Sequence, residues 1–199
     1  MREKTVVFCE GIREATLISI ILEQHNIHYK IIPHEDLERS HTREIAPENN
    51  RINRFLGRDG QGIKCLLKDE GGFAKCVDSF LNLYEDDIEK YLGIVVIDSA
   101  DARDYVKNRF RERLHGRDVL KKESENLYLT KDPKSSRSEH RIFLTPDTLE
   151  TQVRNITGKN LNNQDRDEMR RTLADFKHEC LRRRVDWFIE LKETLLTDP

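Results

Sequence analysis

VVFCEGIREATLISIILEQH, residues 6–25, combines the two patterns from which α/β proteins are built. Residues 5–9 form a nearly continuous apolar run, as expected for a parallel strand that is buried on both faces. Gly11 marks a turn, and the apolar side chains after it recur at helical spacing to about residue 25. Two carboxylates, Glu10 and Glu14, flank the turn. The segment therefore indicates both the fold class and the first candidate site.

The rest of the chain repeats this alternation. Apolar runs predict further strands at residues 27–33, 63–68, 92–98, 126–130 and 140–145. Helical spacing predicts helices at residues 12–25, 73–84 and 102–114, and from residue 148 onward with a break near 182–184. Alternating strands and helices predict an α/β fold with a mostly parallel central sheet flanked by helices. We expect an α/β domain over residues 1–155, with a loop-rich excursion at 34–62, and a C-terminal helical extension over residues 156–199.

Composition narrows the class of protein. Hydrophobic and charged residues each make up 36% of the chain, and the net charge is −2, so no overall positive field favours nucleic acid. The four cysteines form no Cys-x-x-Cys pair, which excludes a zinc ribbon and gives no sign of a secreted disulfide framework. No apolar run is long enough to span a membrane. We expect a cytoplasmic protein without a membrane partner.

Acidic residues follow two of the predicted strands. Glu10 ends the first strand and Glu14 lies one helical turn later, while Asp98 ends the strand at 92–98 and Asp101 follows it. Ligands of parallel sheets collect at the carboxyl ends of the strands. Carboxylates that converge there repel each other, and a hard divalent cation relieves the repulsion through oxygen ligation. The four acids therefore form a candidate site for Mg²⁺ or Mn²⁺.

A structural role for these acids is the alternative. Acids in the first turn of a helix are stabilised by the helix dipole and by free N–H groups, by about 0.3–1 kcal/mol each. Glu14 and Asp101 fit this account as well as they fit a metal site. Spacing alone does not decide between the two.

The order of these motifs resembles the Toprim domain of topoisomerases, primases and related nucleases. Glu10-Gly11 after the first strand and the later GIVVIDSAD (93–101) carry the resemblance. The Glu-Gly-x-x-Glu form at residues 10–14 is similar to the overcoming-lysogenization-defect nucleases and to small stand-alone Toprim proteins. DEGGFAKCVDSFLNL (69–83) and RIFLTPDTLETQV (141–153) also resemble the stand-alone group. The resemblance covers roughly residues 4–155.

The resemblance implies a metal-dependent enzyme acting on phosphodiesters, most simply a nuclease. Glu10 and Asp98 would be catalytic, and Glu10, Glu14, Asp98 and Asp101 would bind the metal. The family has an Asp-x-Asp pair where this chain has Ala100 in place of the second acid, so Asp101 would substitute for it. The departure also supports an alternative, a Toprim-like module that binds nucleotides or nucleic acid, or acts as a scaffold, without catalysis.

Other residues are weaker candidates for the same function. Lys68, Lys75, His140 and Arg141 are candidate contacts to the phosphates of DNA or RNA. The apolar stripe of the C-terminal helix predicts self-association as a homodimer. The chain has no P-loop, so an ATPase like those fused to the larger nucleases would be a separate partner chain.

Overall fold

The computed structural model describes residues 4–34, 52, 55, 62–85, 91–98, 102–117, 119–130, 139–162 and 165–197. Its strands are β1 (Lys4–Cys9), β2 (Tyr29–Ile32), β3 (Cys65–Asp69), β4 (Tyr91–Ile97), β5 (Leu120–Lys122), β6 (Leu127–Thr130) and β7 (Arg141–Leu144). Its helices are α1 (Ile12–Gln24), α2 (Phe73–Glu85), α3 (Ala102–Arg113), α4 (Leu149–Thr157), α5 (Arg166–Arg183) and α6 (Asp186–Leu196). None of the helices described is long and apolar enough to cross a membrane.

The described strands form one sheet in the order β2-β3-β1-β4-β7-β6-β5. The five strands from β2 to β7 in this order are mutually parallel, and β6 runs antiparallel to both of its neighbours. The predicted α/β class with a mostly parallel sheet is confirmed. The short edge strand β5 was not predicted. Most of the predicted excursion at residues 34–62 lies outside the described residues; within it, Ile52 and Phe55 are helical and buried.

Side chains of the central strands alternate between two hydrophobic cores because successive residues of a strand point to opposite faces. Val7 and Cys9 of β1 belong to the core beneath α1, α4, α5 and α6. Val6 and Phe8 belong to the core beneath α2 and α3. The arrangement has three layers, and it explains why β1 and β4 are apolar without alternation.

The C-terminal helices complete the first of these cores. Phe176 of α5 packs against Trp187 and Phe188 of α6, and all three side chains are buried. The predicted break between the helices is at Arg184, which has a left-handed backbone conformation with φ of 55°. Because the apolar stripe is buried within the chain, it does not supply the surface on which a homodimer was predicted.

Candidate functional site

Glu10 and Asp98 lie side by side because β1 and β4 are adjacent and parallel. Cys9 is in register with Val96, so the residues that follow the two strands leave the sheet at the same edge. The backbone N–H of Glu10 donates to the carbonyl of Val96 at 3.2 Å, and the N–H of Asp98 donates to Oε2 of Glu10 at 3.2 Å. The two acids that the sequence places at strand ends are therefore brought together.

Glu14 lies in the first turn of α1 and faces the same edge. Its side chain is only 5% exposed, and Oε1 is buried without a hydrogen-bond partner among the residues that the structure describes. Gly11 allows this position, since a Cβ atom there would lie 3.1 Å from Oε2 of Glu14. A buried carboxylate oxygen without a partner is unusual, because desolvation costs free energy that a hydrogen bond normally restores.

The pKa values of Glu10 and Glu14 are both raised at this site. Burial, and then the negative charge of Asp98, raise the pKa of Glu10 to about 7. Burial, then the charges of Asp98 and Glu10, raise the pKa of Glu14 well above its usual value. The nearby Arg13 lowers both pKa values only in part, and its guanidinium forms an ion pair with Glu150. The acids therefore form one electrostatic unit, and no ion pair between described residues involves them.

Asp98 also has a structural contact. Its Oδ2 accepts a hydrogen bond from the backbone N–H of Leu149 at 3.0 Å, at the start of α4. Thr148 caps the same helix by accepting from the N–H of Thr151. A structural role at a helix terminus thus accounts for one oxygen of Asp98. It does not account for the burial of Glu14 or for the position of Glu10 beside Asp98.

The end of β3 adds buried charges to the same edge. Lys68 and Glu70 form an ion pair with 2.6 Å between Nζ and Oε1, and both side chains are nearly inaccessible to solvent. Asp69, in register with Cys9, accepts from the N–H of Gly71 at 3.0 Å, and the N–H of Gly72 donates to the carbonyl of Glu10. Lys68 is thus close to the acids, but its ammonium group is buried and neutralises Glu70.

Asp69 and Glu70 are not among the site residues predicted from the sequence. The signal was present, because these acids follow an apolar strand just as Glu10 and Asp98 do. Lys75, another predicted phosphate contact, is exposed in the first turn of α2, which starts after β3. Among the described residues, Lys75 is therefore the predicted phosphate contact at this edge that solvent can reach.

His140 and Arg141 lie away from the acids. Arg141 begins β7 in register with Ile94, three residues before Ile97, so both residues are at the opposite end of the strand from Asp98. Nδ1 of His140 accepts from the N–H of Gly93 at 2.9 Å, and the ring packs against Tyr91. The buried position of His140 serves packing because the aromatic ring fills the space beside a glycine.

Arg141 anchors the end of α6. Its Nη1 donates to the carbonyl oxygens of Thr194 at 2.6 Å and of Thr197 at 2.8 Å, which are left unpaired where the helix ends. Replacing Arg141 with methionine should lower the free energy of unfolding by about 1–3 kcal/mol, because buried carbonyls lose their donor.

Chemical denaturation with Arg182→Met as the exposed control would measure this effect. The affinity of Arg141→Met for nucleic acid should be the same as that of the wild type. A variant of Arg141 that unfolds like the wild type but binds DNA more weakly would restore the predicted role in substrate binding.

The donor set suits a hard cation, although it is not a preformed ligand shell. Glu10, Glu14 and Asp98 supply oxygen atoms alone, as Mg²⁺ and Mn²⁺ prefer. Among the residues that the structure describes, no three histidine, cysteine or acidic side chains are close enough to hold a metal ion as they stand. Asp101, the fourth predicted ligand, and Ala100 lie outside the described residues.

Comparison with known proteins adds no relative. No family model, no curated protein and no solved structure matches this chain.

Proposed function

We propose that this protein is a Toprim-type enzyme that uses Mg²⁺ or Mn²⁺ to cleave phosphodiesters, and that it acts as a nuclease on DNA or RNA. One observation carries the proposal: Glu14 is buried beside Glu10 and Asp98, and one of its carboxylate oxygens has no partner within the described part of the chain. A helix-terminal acid does not need this burial. A cation at the site would supply the missing partner and relieve the repulsion among the three carboxylates.

Each acid has a role in this proposal. Glu10, Glu14 and Asp98 would hold the metal, with Asp101 as the fourth ligand. The metal, when bound, would orient the phosphodiester, promote attack by water and stabilise the leaving oxygen. Glu10 is only partly buried, and its pKa of about 7 suits a group that accepts or donates a proton near neutral pH.

The two lysines at this edge, Lys75 and Lys68, have different roles in the proposal. Lys75 is exposed and would contact a phosphate of the substrate. Lys68 is buried against Glu70 and would fix the turn that follows β3, whose Gly72 N–H donates to the carbonyl of Glu10 at 2.8 Å. Lys68 is therefore proposed as a positioning residue.

A second function has its own support. The described acids do not form a complete ligand set, Asp98 is partly occupied by the N–H of Leu149, and Ala100 replaces an acid of the family motif. These observations favour a Toprim-like module that binds nucleotides or nucleic acid without catalysis.

Two measurements separate the proposals. Labelled single- and double-stranded DNA and RNA are incubated with the protein in Mg²⁺ or Mn²⁺, with EDTA as the control. The nuclease should cleave at least one substrate in a metal-dependent manner. Calorimetric titration with Mn²⁺ near pH 8 should show binding that Glu14→Gln removes. If the protein shows neither cleavage nor carboxylate-dependent binding of Mn²⁺, the nuclease is excluded and the non-catalytic module is favoured.

A further inference from the structure

A cavity lies between α3 and the β5–β6 hairpin, on the face of the sheet opposite α5. Its volume is about 220 Å³, and the buried rings of Phe110 and Tyr128 contribute to its apolar floor. The cavity is bordered by four cationic side chains: Lys107, Arg111, Arg117 and Lys122. No acidic side chain of the described residues lines it, so its charge is complementary to an anion.

Two arginines of α3 have acidic partners. Arg109 pairs with Asp78 at 2.7 Å, and Arg103 pairs with Glu125 at 3.3 Å. Lys107 and Arg111 have no acidic partner among the described residues, although like charges four residues apart destabilise a helix. Both of these cations line the cavity, so they are available to an anion that enters it.

The cations are also held at its border. Nζ of Lys107 lies 5.7 Å from the centroid of the Tyr128 ring, a cation–π contact that keeps the ammonium group over the floor. Nε of Arg117 donates to the carbonyl of Leu114 at 3.2 Å. Lys122 pairs with the exposed Glu125, and a surface ion pair of this kind contributes little to stability.

The sheet fixes the separation between the cavity and the acids. Tyr128 is in register with Ile142, which is in register with Val95 of β4, two strands away. Asp98 lies three residues beyond Val95. With about 4.8 Å between strands and 3.3 Å per residue, the Cα atoms of Tyr128 and Asp98 are roughly 14 Å apart.

We propose that this cavity is a nucleic-acid exosite that holds a backbone phosphate of the strand whose cleavage is proposed above, so it rests on the proposed function. A separation of roughly 14 Å corresponds to about four base pairs along a duplex. The cavity is smaller than the roughly 300 Å³ at which small-molecule sites begin, which favours one phosphate of a long chain over a whole cofactor.

A binding measurement without metal tests the exosite. The double variant Lys107→Gln/Arg111→Gln is compared with the wild type and with Arg182→Gln/Arg183→Gln, which removes the same charge from α5. Fluorescence anisotropy reports binding to a labelled duplex of about 20 base pairs across a range of salt concentrations. We expect a wild-type Kd of about 10⁻⁴ to 10⁻⁶ M. In the cavity variant, binding should weaken by about tenfold, and the slope of log K against log salt should fall by about 2, while the α5 variant keeps both.

The outcomes separate this proposal from the nuclease. If the wild type cleaves no substrate but the cavity variant binds DNA more weakly than the wild type, the exosite is supported and the nuclease is refuted. If the protein cleaves, the variant should hydrolyse bis(p-nitrophenyl) phosphate at the wild-type rate, because this small diester cannot reach both sites, and KM for the duplex should rise. No DNA binding by the wild type, or equal affinities and salt slopes in all three proteins, would overturn the exosite. Equal weakening in both double variants would also overturn it.

Discussion

Glu10→Gln and Asp98→Asn should each reduce metal-dependent cleavage by about 10²–10⁴-fold, the range expected when a positioned proton-transfer group is lost. Both substitutions keep the shape of the side chain and remove its charge. Glu10 accepts from the N–H of Asp98, so the two side chains belong to one arrangement. Rates measured at saturating Mn²⁺ separate the loss of chemistry from a weakened affinity for metal.

The double variant gives a second readout of this arrangement. Residues that act as a unit are not additive, so Glu10→Gln/Asp98→Asn should be no slower than the slower single variant. Glu193→Gln is the matched control, because Glu193 is exposed on α6. Full activity in either single variant would exclude the assigned catalytic role of that residue.

Glu14→Gln should make the metal-free protein more stable at alkaline pH. Burial and the charge of Asp98 raise the pKa of Glu14 in the folded protein, so the folded state binds a proton that the unfolded chain releases. The stabilising contribution is complete below the ordinary value of 4.5 and is lost as the pH rises. One such proton changes the free energy of unfolding by up to about 1.4 kcal/mol per pH unit. At pH 8 we expect the variant to gain roughly 1–3 kcal/mol, the cost of one unsatisfied buried polar group.

Urea denaturation between pH 5 and pH 8 measures this difference. The slope should be reduced in Glu14→Gln and not abolished, because the pKa of Glu10 is also raised, from 4.5 to about 7, and Glu10 contributes over that interval. Glu193→Gln should follow the wild type. Lower stability of Glu14→Gln than of the wild type at pH 8 would contradict the prediction.

Addition of Mn²⁺ should reverse the order of stability. Ligands bind metal in their deprotonated form, so the wild type should gain stability from Mn²⁺ as the pH rises. At a concentration of 100 times Kd the gain is about 2.7 kcal/mol. Glu14→Gln should gain little. Equal stabilisation of both proteins by Mn²⁺ would place the cation elsewhere.

The sequence predicts the centre of the fold better than its edge. β1 and β4 are long apolar runs, and the helices between the strands predict that they are parallel, so Glu10 and Asp98 are predicted at the same edge of the sheet. That the two strands are neighbours, which brings the acids together, is seen only in the structure. β5 consists of Leu120, Lys121 and Lys122, and its only apolar residue gives no periodicity. It forms because Lys122 and Leu120 pair with β6, a contact that requires the hairpin to be in place.

The roles of the polar residues depend on tertiary contacts. A histidine and an arginine before a strand are equally compatible with substrate binding and with packing. His140 packs because Gly93 leaves room beside it, and Arg141 is buried because α6 ends above it. Both partners are more than forty residues away in the chain. The sequence likewise predicts Lys68 as an accessible cation, whereas in the structure its ammonium group is buried in an ion pair with Glu70.

The position of α5 and α6 has a consequence for synthesis of the chain. Ala15 and Ile18 of α1 share a core with Leu191 and Leu195 of α6. At about 5–20 residues per second, the ribosome needs roughly 10–35 s to make the intervening 180 or so residues. Until α6 is made, the part of this core that Leu191 and Leu195 cover lacks its partner. Chaperones that bind nascent polypeptides would therefore meet this protein before α6 emerges.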